Sequence, residues 1–399
     1  MGTAPDGPSG HATAVEVPAE STCTLREHNP AVAFAFTIDP DVAQARTLPS
    51  GFYLDPAVHA MTRERVFART WQWLGDLDDV AVVGSLSPRE LLPGHLAEPL
   101  LLARDATGEL RCLSNVCTHR GNVLVHAPCR AEQIRCGYHS RRFDLAGRMT
   151  FMPGFDGARE FPSRADDLPR VPFAEFARQG FASLAPAAPF ADFFSEIRAR
   201  LAWLPLGDLR HDPSRDRAFE IAAHWALYVE NYLEGLHIPF LHPALNQVLD
   251  MQRYTYELGR YANLQLALAR GDEDAAFAPP PGSADHGKRV AAYYWWVFPN
   301  LMLNVYPWGL SVNVVEPLAA DRTRVRFRGY VLDASRLGSG AGAALDQVEL
   351  EDEAAVESVQ RGLRSRLYRN GRYSPTHERG VHQFHRLLCE FLSEPAQGA

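Results

Sequence analysis

Two short stretches with the same chemistry decide the fold of the first half of the sequence: Cys117-Thr-His-Arg-Gly121 and Cys136-Gly-Tyr-His139. Each offers one thiolate and one imidazole beside a turn, and sixteen residues separate the two pairs. Cysteine and histidine are soft and borderline metal ligands, and four of them complete a metal shell. The Cys-x-His spacing is unusual for zinc fingers and suits a [2Fe–2S] centre in which one iron binds two cysteines and the other two histidines. A zinc site and a chance clustering are the alternatives.

A second group of metal-binding side chains lies between Glu230 and His242. Glu230, Glu234 and His237 are spaced i, i+4 and i+7, which predicts that they share one helix face. Pro239 then disrupts the helix, so His242 is expected from the turn beyond it. Two imidazoles placed in this way bind one metal from adjacent directions. Histidines that merely satisfy packing are the alternative.

Helical periodicity selects a third ligand for this second group. The apolar residues of a predicted helix over Leu345–Leu367 form one stripe at steps of three or four, with one gap of eight: Leu345, Val348, Val356, Val359, Leu363 and Leu367. Asp352 is the midpoint of the gap, and an acid on a buried face is costly unless it is paired or binds metal. We therefore predict Asp352 as the ligand. The neighbouring acids are off the stripe and are predicted to be solvated: Glu349, Glu351 and Glu353. Two histidines and one carboxylate form the facial triad of non-haem Fe(II) oxygenases, which leaves positions open for O₂ or substrate.

The composition disfavours several other classes of protein. The 40 Lys and Arg against 48 Asp and Glu give a net charge of −8, which argues against nucleic-acid binding. Six cysteines in 399 residues are too few for a disulfide scaffold. No signal peptide is visible, and the most apolar run, residues 291–310, is broken by prolines and asparagines, so no membrane helix is predicted. We expect a cytoplasmic protein.

The local composition and the pattern of apolar runs predict an N-terminal tail and two domains. Residues 1–30 are rich in small residues and proline and are predicted to be disordered. Residues 45–185 form the first domain, with a helix over Pro56–Leu74 followed by short strands between turns: Val80–Val83, Leu100–Ala103, Leu110–Leu113 and Gly180–Leu184. Residues 190–395 form the second domain, which mixes helices with well-marked strands: Leu301–Tyr306, Leu310–Val315 and Arg322–Arg328. The four arginines on one face of the last strand are predicted to be solvated.

Several other groups are interpreted as packing residues. His382 and His385 share a face of a C-terminal helix. A set of aromatic residues is predicted to be mostly core, with some members facing a substrate pocket: Tyr293, Tyr294, Trp295, Trp296, Phe298, Tyr306 and Trp308. Aromatic walls suit either a flat apolar substrate or a quaternary ammonium held by cation–π contact.

The stretches Cys117–Gly121 and Cys136–Gly147 (CTHRG and CGYHSRRFDLAG) resemble the iron–sulfur motif of the Rieske non-haem iron oxygenases, the ring-hydroxylating family. The family's second motif, two histidines followed by a distant aspartate in an acidic helix, is matched by His237, His242 and Asp352. The resemblance covers about residues 50–390 and departs at Ser140-Arg141, where the family commonly has Gly-Trp. It implies an α+β protein, with an all-β Rieske domain followed by a catalytic domain in which helices flank an antiparallel sheet.

The resemblance also implies the cofactors and the residues that bind them. A Rieske [2Fe–2S] cluster is expected on Cys117, His119, Cys136 and His139, and a mononuclear non-haem Fe(II) on the second motif. In the family, an acid at the position of Glu234 carries electrons from a cluster histidine of the neighbouring subunit. That acid is usually aspartate, and some relatives that act on quaternary amines share the glutamate. Glu230 and Asn231 are further candidates for catalytic residues, and a homotrimer is expected.

The implied function is that of a terminal oxygenase component, which uses O₂ and external electrons to hydroxylate or oxidatively dealkylate a small aromatic compound or quaternary amine. Residues 338–343 fit the pattern G-x-G-x-x-A, but the preceding strand alternates wet and dry faces, so we interpret them as a flexible connection. Electrons are therefore expected from a separate NAD(P)H-dependent reductase or ferredoxin. The alternative is a non-catalytic Rieske-type electron carrier or a zinc-stabilised binding module, neither of which needs the second motif.

Overall fold

Small β-sheets make up most of the first half of the chain, and one large sheet dominates the second half. The computed structural model describes residues 1–2, 36–270, 276–343 and 345–393. Apart from Met1 and Gly2, the predicted disordered tail lies outside the described residues. The described residues from 36 onward belong to one compact unit. No described helix combines the length and the apolar character that a membrane crossing requires.

The first half begins with two short helices and continues with ten strands. The helices are α1 Ser50–Leu54 and α2 Pro56–Arg65. The strands are β1 Gln72–Asp76, β2 Ser85–Leu91, β3 Glu98–Arg104, β4 Leu110–Ser114, β5 Cys129–Arg130, β6 Ile134–Arg135, β7 Arg142–Phe143, β8 Met149–Phe151, β9 Phe173–Phe176 and β10 Gln179–Ala182.

These strands form three antiparallel sheets with the orders β4-β3-β2-β5, β6-β7-β8 and β1-β10-β9. The first two sheets share a core in which Leu101, Leu113 and Phe143 are fully buried beside Cys117 and Cys136. The two thiols therefore belong to the apolar core between the sheets, which fixes the loops that carry them.

The described part of the second half contains six α-helices and eight strands. The helices are α3 Phe190–Arg200, α4 Trp225–Tyr232, α5 Ile238–Leu241, α6 Pro243–Val248, α7 Leu345–Gly362 and α8 Arg379–Ser393. The strands are β11 Arg210–His211, β12 Arg217–Ile221, β13 Thr255–Leu258, β14 Ala262–Leu268, β15 Val290–Val297, β16 Leu301–Tyr306, β17 Gly309–Ala319 and β18 Arg322–Val331.

The eight strands form one antiparallel sheet in the order β11-β18-β17-β16-β15-β14-β13, with β12 also paired to β18. All residues of β14, β15 and β16 are buried, so helices and loops cover both faces of the sheet. Helix α4 packs against α7 and β17, and α3 packs against β15. The predicted α+β class with an antiparallel sheet flanked by helices is confirmed, and the predicted strand Leu301–Tyr306 has the same bounds in the structure.

Two predictions in the first half are wrong. The helix expected over Pro56–Leu74 ends at Arg65, and Leu74 lies in β1, because pairing with β10 places Trp73 opposite Phe181. Tertiary pairing here outweighs local periodicity. The strand expected over Val80–Val83 is not formed, since Val80 ends a short 3-10 helix and a turn follows it. Its two last valines, Val82 and Val83, are 53% and 47% exposed, so the apolar run does not mark a buried strand.

The arginine face of β18 is not simply solvated, as the sequence predicted. Glu316 on β17 lies opposite Arg324 and is completely buried, and both Arg324 and Arg326 form ion pairs with it. A buried carboxylate requires such partners. The guanidinium of Arg326 also lies 5.4 Å from the ring centroid of Trp73 on β1, so this ion-pair group joins the large sheet to the first half of the chain.

Three histidines pack together where α2, the β2–β3 connection and the start of α4 meet. The ring of His59 lies 4.8 Å from that of His95 and 6.0 Å from that of His224. Burial lowers the pKa of all three, that of His95 to about 3. Each has a buried ring nitrogen without a hydrogen-bond partner, so the fold holds them neutral.

These histidines predict acid destabilisation. Since the pKa in the fold is below the ordinary value, their contribution is complete above about pH 6.5 and is lost as the pH falls, because the unfolded chain takes up protons first. Between pH 7 and pH 5, His95 alone is expected to remove about 2 kcal/mol from the free energy of unfolding. The measurement is urea unfolding of wild type and His95→Gln at both pH values. The variant should lose less stability than wild type on acidification. The exposed-residue control His126→Gln should behave as wild type, and an unchanged pH dependence in His95→Gln would contradict the account.

Candidate functional site

The two Cys/His loops have the same backbone construction. In the first loop the Cys117 N–H donates to the Asn122 carbonyl at 2.8 Å, and the Gly121 N–H donates back to the Cys117 carbonyl at 3.0 Å. The second loop repeats both bonds, from Cys136 to the Arg141 carbonyl at 2.8 Å and from Ser140 to the Cys136 carbonyl at 3.1 Å. In each loop the two hydrogen bonds close a tight turn that carries one thiol and one imidazole. The sequence repeat of Cys-x-His and Cys-x-x-His therefore reflects a structural repeat.

The residues at which the sequence departs from the family pattern hold the two loops together. Ser140 has a left-handed backbone conformation (φ +63°), as Gly121 has at the matching place in the first loop (φ +70°). Arg141 is only 2% exposed, and its guanidinium donates to the Thr118 hydroxyl at 2.7 Å and to Asp166 Oδ1 at 3.1 Å. A buried cation thus ties the second loop to the first.

The donor atoms of these loops fit a binuclear cluster better than a single ion. The rings of His119 and His139 lie 4.8 Å apart, and the buried Nδ1 of His139 has no hydrogen-bond partner. The Asn122 side-chain amide donates to Cys136 Sγ at 3.7 Å. Among the described residues, no three donor atoms of these loops lie within 4.8 Å of one another, although one tetrahedral zinc ion brings its ligands that close.

Such a convergence of three donor atoms does occur at the second motif, and it brings together His237, His242 and Asp352, whose ligand atoms all lie within 4.8 Å of one another. Asp352 Oδ1 is 3.0 Å from His242 Nε2 and 3.7 Å from His237 Nε2. The Asn231 side-chain amide donates to the same oxygen at 2.7 Å. Periodicity thus placed Asp352 correctly on the buried side of α7.

Each histidine of this group is oriented by a carboxylate on its other nitrogen. Glu234 Oε1 lies 2.5 Å from His237 Nδ1, and Glu351 Oε2 lies 2.7 Å from His242 Nδ1. A carboxylate on one ring nitrogen fixes the tautomer and directs the other nitrogen, here Nε2, towards the metal. The hydrogen bond to His242 lowers the pKa of Glu351, which keeps that carboxylate charged. The prediction that Glu351 is merely solvated is wrong.

The predicted common helix face of Glu230, Glu234 and His237 is also wrong. Helix α4 ends at Tyr232, before Glu234, and a new helix begins at Ile238 with Pro239 in its first turn, where a missing N–H is harmless. The break brings Glu234 back onto the backbone N–H groups of Leu236 and His237. Pro239 therefore starts a helix instead of ending one.

Glu230 does not belong to the group that Glu234, His237, His242 and Asp352 form. Its Oε1 accepts a 2.7 Å hydrogen bond from the Tyr53 hydroxyl and lies 3.0 Å from His385 Nε2. His385 Nδ1 in turn contacts the Tyr373 hydroxyl at 2.6 Å, and the ring of His382 contacts the Asp39 carbonyl at 2.7 Å. Both histidines of α8 are buried and partnered, in agreement with the packing role predicted for them.

A cavity opens beside the converging histidines and aspartate. One row of paired residues across four adjacent strands supplies part of its wall: Gln265, Tyr294, Asn304 and Ser311. The lining also contains five tyrosines: Tyr228, Tyr232, Tyr254, Tyr294 and Tyr306. Lys and Arg are absent from the described lining, and the acids in it are Glu234, Glu349 and Asp352.

Glu349 is the residue of this cavity that the sequence interpretation missed. It was predicted to be solvated, but it is only 6% exposed, and its two carboxylate oxygens accept from one donor, the Tyr228 hydroxyl, at 2.7 and 2.8 Å. Burial raises the pKa of Glu349 well above its ordinary value. The sequence contained a signal for this burial. Glu349 lies seven residues before Val356 and three before Asp352, and these spacings place all three on one face of the helix. Two residues assigned to the stripe, Val359 and Leu367, are instead 49% and 96% exposed.

Comparison with known proteins agrees with these two sites. The family model described as Rieske [2Fe-2S] domain matches residues 70–162, and the model described as ring hydroxylating alpha subunit (catalytic domain) matches residues 206–394. Choline monooxygenase of Arabidopsis thaliana, a chloroplastic protein, is 28% identical over 91% of this chain and 89% of its own length. The carnitine monooxygenase oxygenase subunit of Escherichia coli (strain K12) is 28% identical over 88% of this chain and 95% of its own.

Solved structures give the same result for the fold. A quaternary ammonium Rieske monooxygenase in complex with an inhibitor superposes with a TM-score of 0.71 at 25% identity, over 88% of this chain and 96% of that one. Naphthalene 1,2-dioxygenase from a Rhodococcus species superposes with a TM-score of 0.65 at 19% identity, over 87% of this chain and 94% of that one. The second likeness concerns the fold alone.

Proposed function

Because this chain belongs to the Rieske non-haem iron oxygenases, we propose that its two groups of metal-binding side chains are the two iron centres of a terminal oxygenase component. The protein is an oxidoreductase with a Rieske [2Fe–2S] cluster and non-haem iron as cofactors, and it uses O₂ with electrons from a separate reductase or ferredoxin to oxidise a small organic substrate. The convergence of His237, His242 and Asp352 carries the assignment of the catalytic centre.

In this proposal Cys117 and Cys136 bind one iron of the cluster, and His119 and His139 bind the other. The partnerless buried Nδ1 of His139 supports it, since a buried ring nitrogen without a partner is costly and a metal ion would supply one. Ferrous iron bound to the facial triad supplies the reactivity with O₂. The chain's own part is to hold each histidine through Glu234 or Glu351 and to hold Asp352 through Asn231.

The iron ligand Asp352 can be tested without an activity assay. Asp352→Ala is expected to lose about one of three irons per chain while it keeps the visible spectrum of the cluster, because the ligands of the two centres come from separate motifs. The measurement is iron and acid-labile sulfide content beside the absorption spectrum. Glu353→Ala, a neighbour on α7 that does not line the cavity, is the control and should keep all the iron. Full iron content in Asp352→Ala would remove Asp352 from the ligand set.

We propose further that electrons reach the mononuclear site from the cluster of a neighbouring subunit in a homotrimer, through Glu234. Two exposed apolar surfaces support contact between copies of the chain. Tyr138, beside His139, is 58% exposed, and Leu236 and Phe240, which flank His237, are 38% and 83% exposed. Exposed apolar side chains next to both centres are typical of interaction surfaces.

We also propose that the chain divides into two domains, residues 45–185 and 190–395, and that the protein is cytoplasmic.

The proposed electron path predicts a specific defect. Glu234→Gln should keep both metal centres, but reoxidation of its prereduced cluster with O₂ and substrate should slow by about tenfold or more, because the charged link to His237 is lost. Stopped-flow absorption of the cluster in a single turnover measures this rate. Glu351→Gln is the matched control, since it weakens the equivalent hydrogen bond to His242 outside the proposed path. If both variants reoxidise at the same rate, Glu234 has no special part in electron transfer.

For the substrate we propose a cationic amine. The named relatives are choline and carnitine monooxygenases. The cavity supports the same class in this chain, because Glu349 is a buried acid with no ion-pair partner among the described residues, and five tyrosines line the cavity with it. Aromatic faces and a carboxylate both stabilise an ammonium group. An aromatic hydrocarbon would leave the carboxylate of Glu349 with its single donor in an apolar site.

A pair of probes with the same shape tests the amine proposal. Choline carries the charge, and 3,3-dimethylbutan-1-ol has the same shape without it. An ammonium group beside Glu349 favours its ionised form against the burial that raises its pKa. Glu349→Gln is therefore expected to weaken choline binding about tenfold or more and to leave the neutral probe unchanged, because only the charge interaction is removed. Isothermal titration calorimetry on the anaerobic holoenzyme gives both affinities. Equal losses for the two probes would indicate a change of packing and would contradict the proposal.

A further inference from the structure

A second cavity adjoins the first, and Glu349 lies on the boundary between them. The second cavity shares Ser311, Phe327 and Glu349 with the main cavity. Arg215 and Trp308 line its other side. The acid Glu349 therefore lines both cavities, and the basic residue Arg215 lines the second one.

Arg215 is the cation of this second cavity that forms no ion pair in the described chain, although Asp212 is near enough to interact with it electrostatically. Its guanidinium carbon lies 4.5 Å from the ring centroid of Trp308, and no carboxylate of the described chain is within ion-pair distance of it. Arg217 lines the same cavity, but its Nε is 3.4 Å from Asp346 Oδ1. The two arginines thus differ in whether their charge is already compensated.

Trp308 provides an independent sign of a missing acceptor. The residue is 1% exposed, and its buried indole N–H has no hydrogen-bond partner. A buried donor without an acceptor costs about 1–3 kcal/mol. The ring cannot readily turn away, since it stacks on Tyr306 with the centroids 5.4 Å apart. An anionic group bound beside Arg215 would supply the acceptor.

Two glycines make room for these groups. A Cβ on Gly329 would lie 2.6 Å from Cβ of Arg215, and one on Gly342 would lie 2.3 Å from the indole nitrogen of Trp308. Neither glycine has a left-handed backbone conformation, so space and not conformation requires them. Both line the second cavity. Arg215 and Trp308 therefore lie in a place from which side chains are excluded.

From these contacts we infer that Arg215 and Trp308 form a subsite for a carboxylate group of the substrate. The guanidinium offers a planar pair of donors that matches a carboxylate, and the indole adds one more donor. Since Glu349 lines both cavities, one extended molecule places its ammonium group at Glu349 and its carboxylate at Arg215. The substrate class is then a zwitterionic amine. The inference rests on the cationic-amine substrate proposed above and extends it to the second charge.

The test compares acids with their esters. The probes are glycine betaine and its longer ω-trimethylammonio carboxylate homologues, each beside its methyl ester, titrated calorimetrically into the anaerobic holoenzyme. For at least one chain length the acid is expected to bind about tenfold or more tightly than the ester, because a charged hydrogen bond contributes about 1.5–3 kcal/mol. Equal binding of acid and ester at every length overturns the carboxylate subsite and leaves the amine proposal intact. Binding of no probe at all overturns the amine proposal and the subsite with it.

Variants assign the effect to Arg215. Arg215→Gln should bring the acid-to-ester ratio close to one while ester binding is unchanged, and Arg215→Lys should restore part of the ratio. Arg217→Gln is the matched control and should keep the wild-type ratio, because Asp346 already compensates that charge. A wild-type ratio in Arg215→Gln, or the same loss in Arg217→Gln, would contradict the role of Arg215. Cluster absorbance and iron content establish that each variant is folded, and Arg215→Lys carries the test if Arg215→Gln is not.

Discussion

An aspartate buried on a helix must have partners, and the need to satisfy Asp352 organises the second half of this molecule. Its Oδ1 receives the amide of Asn231 on α4 and faces the Nε2 atoms of His237 and His242, which come from the chain beyond that helix. Uncompensated burial of this carboxylate would cost several kcal/mol. The fold offsets that cost by bringing α4, α5 and α7 to one point. His237, His242 and Asp352 would hold a divalent ion there, which would neutralise the acid and occupy both imidazoles, so the fold and the proposed chemistry need the same ion.

The large sheet forms the wall of a binding site whose two ends differ chemically. A row that runs from Gln265 through Tyr294 and Asn304 to Ser311 places polar side chains under the metal-binding group, and Gly329 continues the row on β18. Because the row ends in a glycine, Arg215 fits where a side chain would otherwise lie. The acid Glu349 and the base Arg215 are thereby placed in neighbouring cavities of one surface. The arrangement distinguishes the two ends of a bound molecule by charge.

The sequence predicted the chemistry of both sites better than the path of the chain between them. Cys117, His119, Cys136 and His139 were predicted from their spacing, and the structure places them on two turns of the same construction. Asp352 followed from a helical stripe, although Val359 and Leu367 of that stripe are exposed. Glu349 was missed because only one buried acid was expected in the gap. The break after Tyr232 and the strand at Trp73 depend on partners distant in sequence, Tyr256 and Phe181, which local periodicity does not contain.

Two iron centres of different nuclearity in one chain require a defined ratio of iron to sulfide, and metal analysis measures this ratio directly. Protein purified without O₂ is predicted to contain about three irons and two acid-labile sulfides per chain, and its reduced form should give the EPR signal of a histidine-ligated [2Fe–2S] cluster. Iron in equal number to sulfide would remove the mononuclear centre. A preparation that contains zinc and no labile sulfide would contradict the account as a whole.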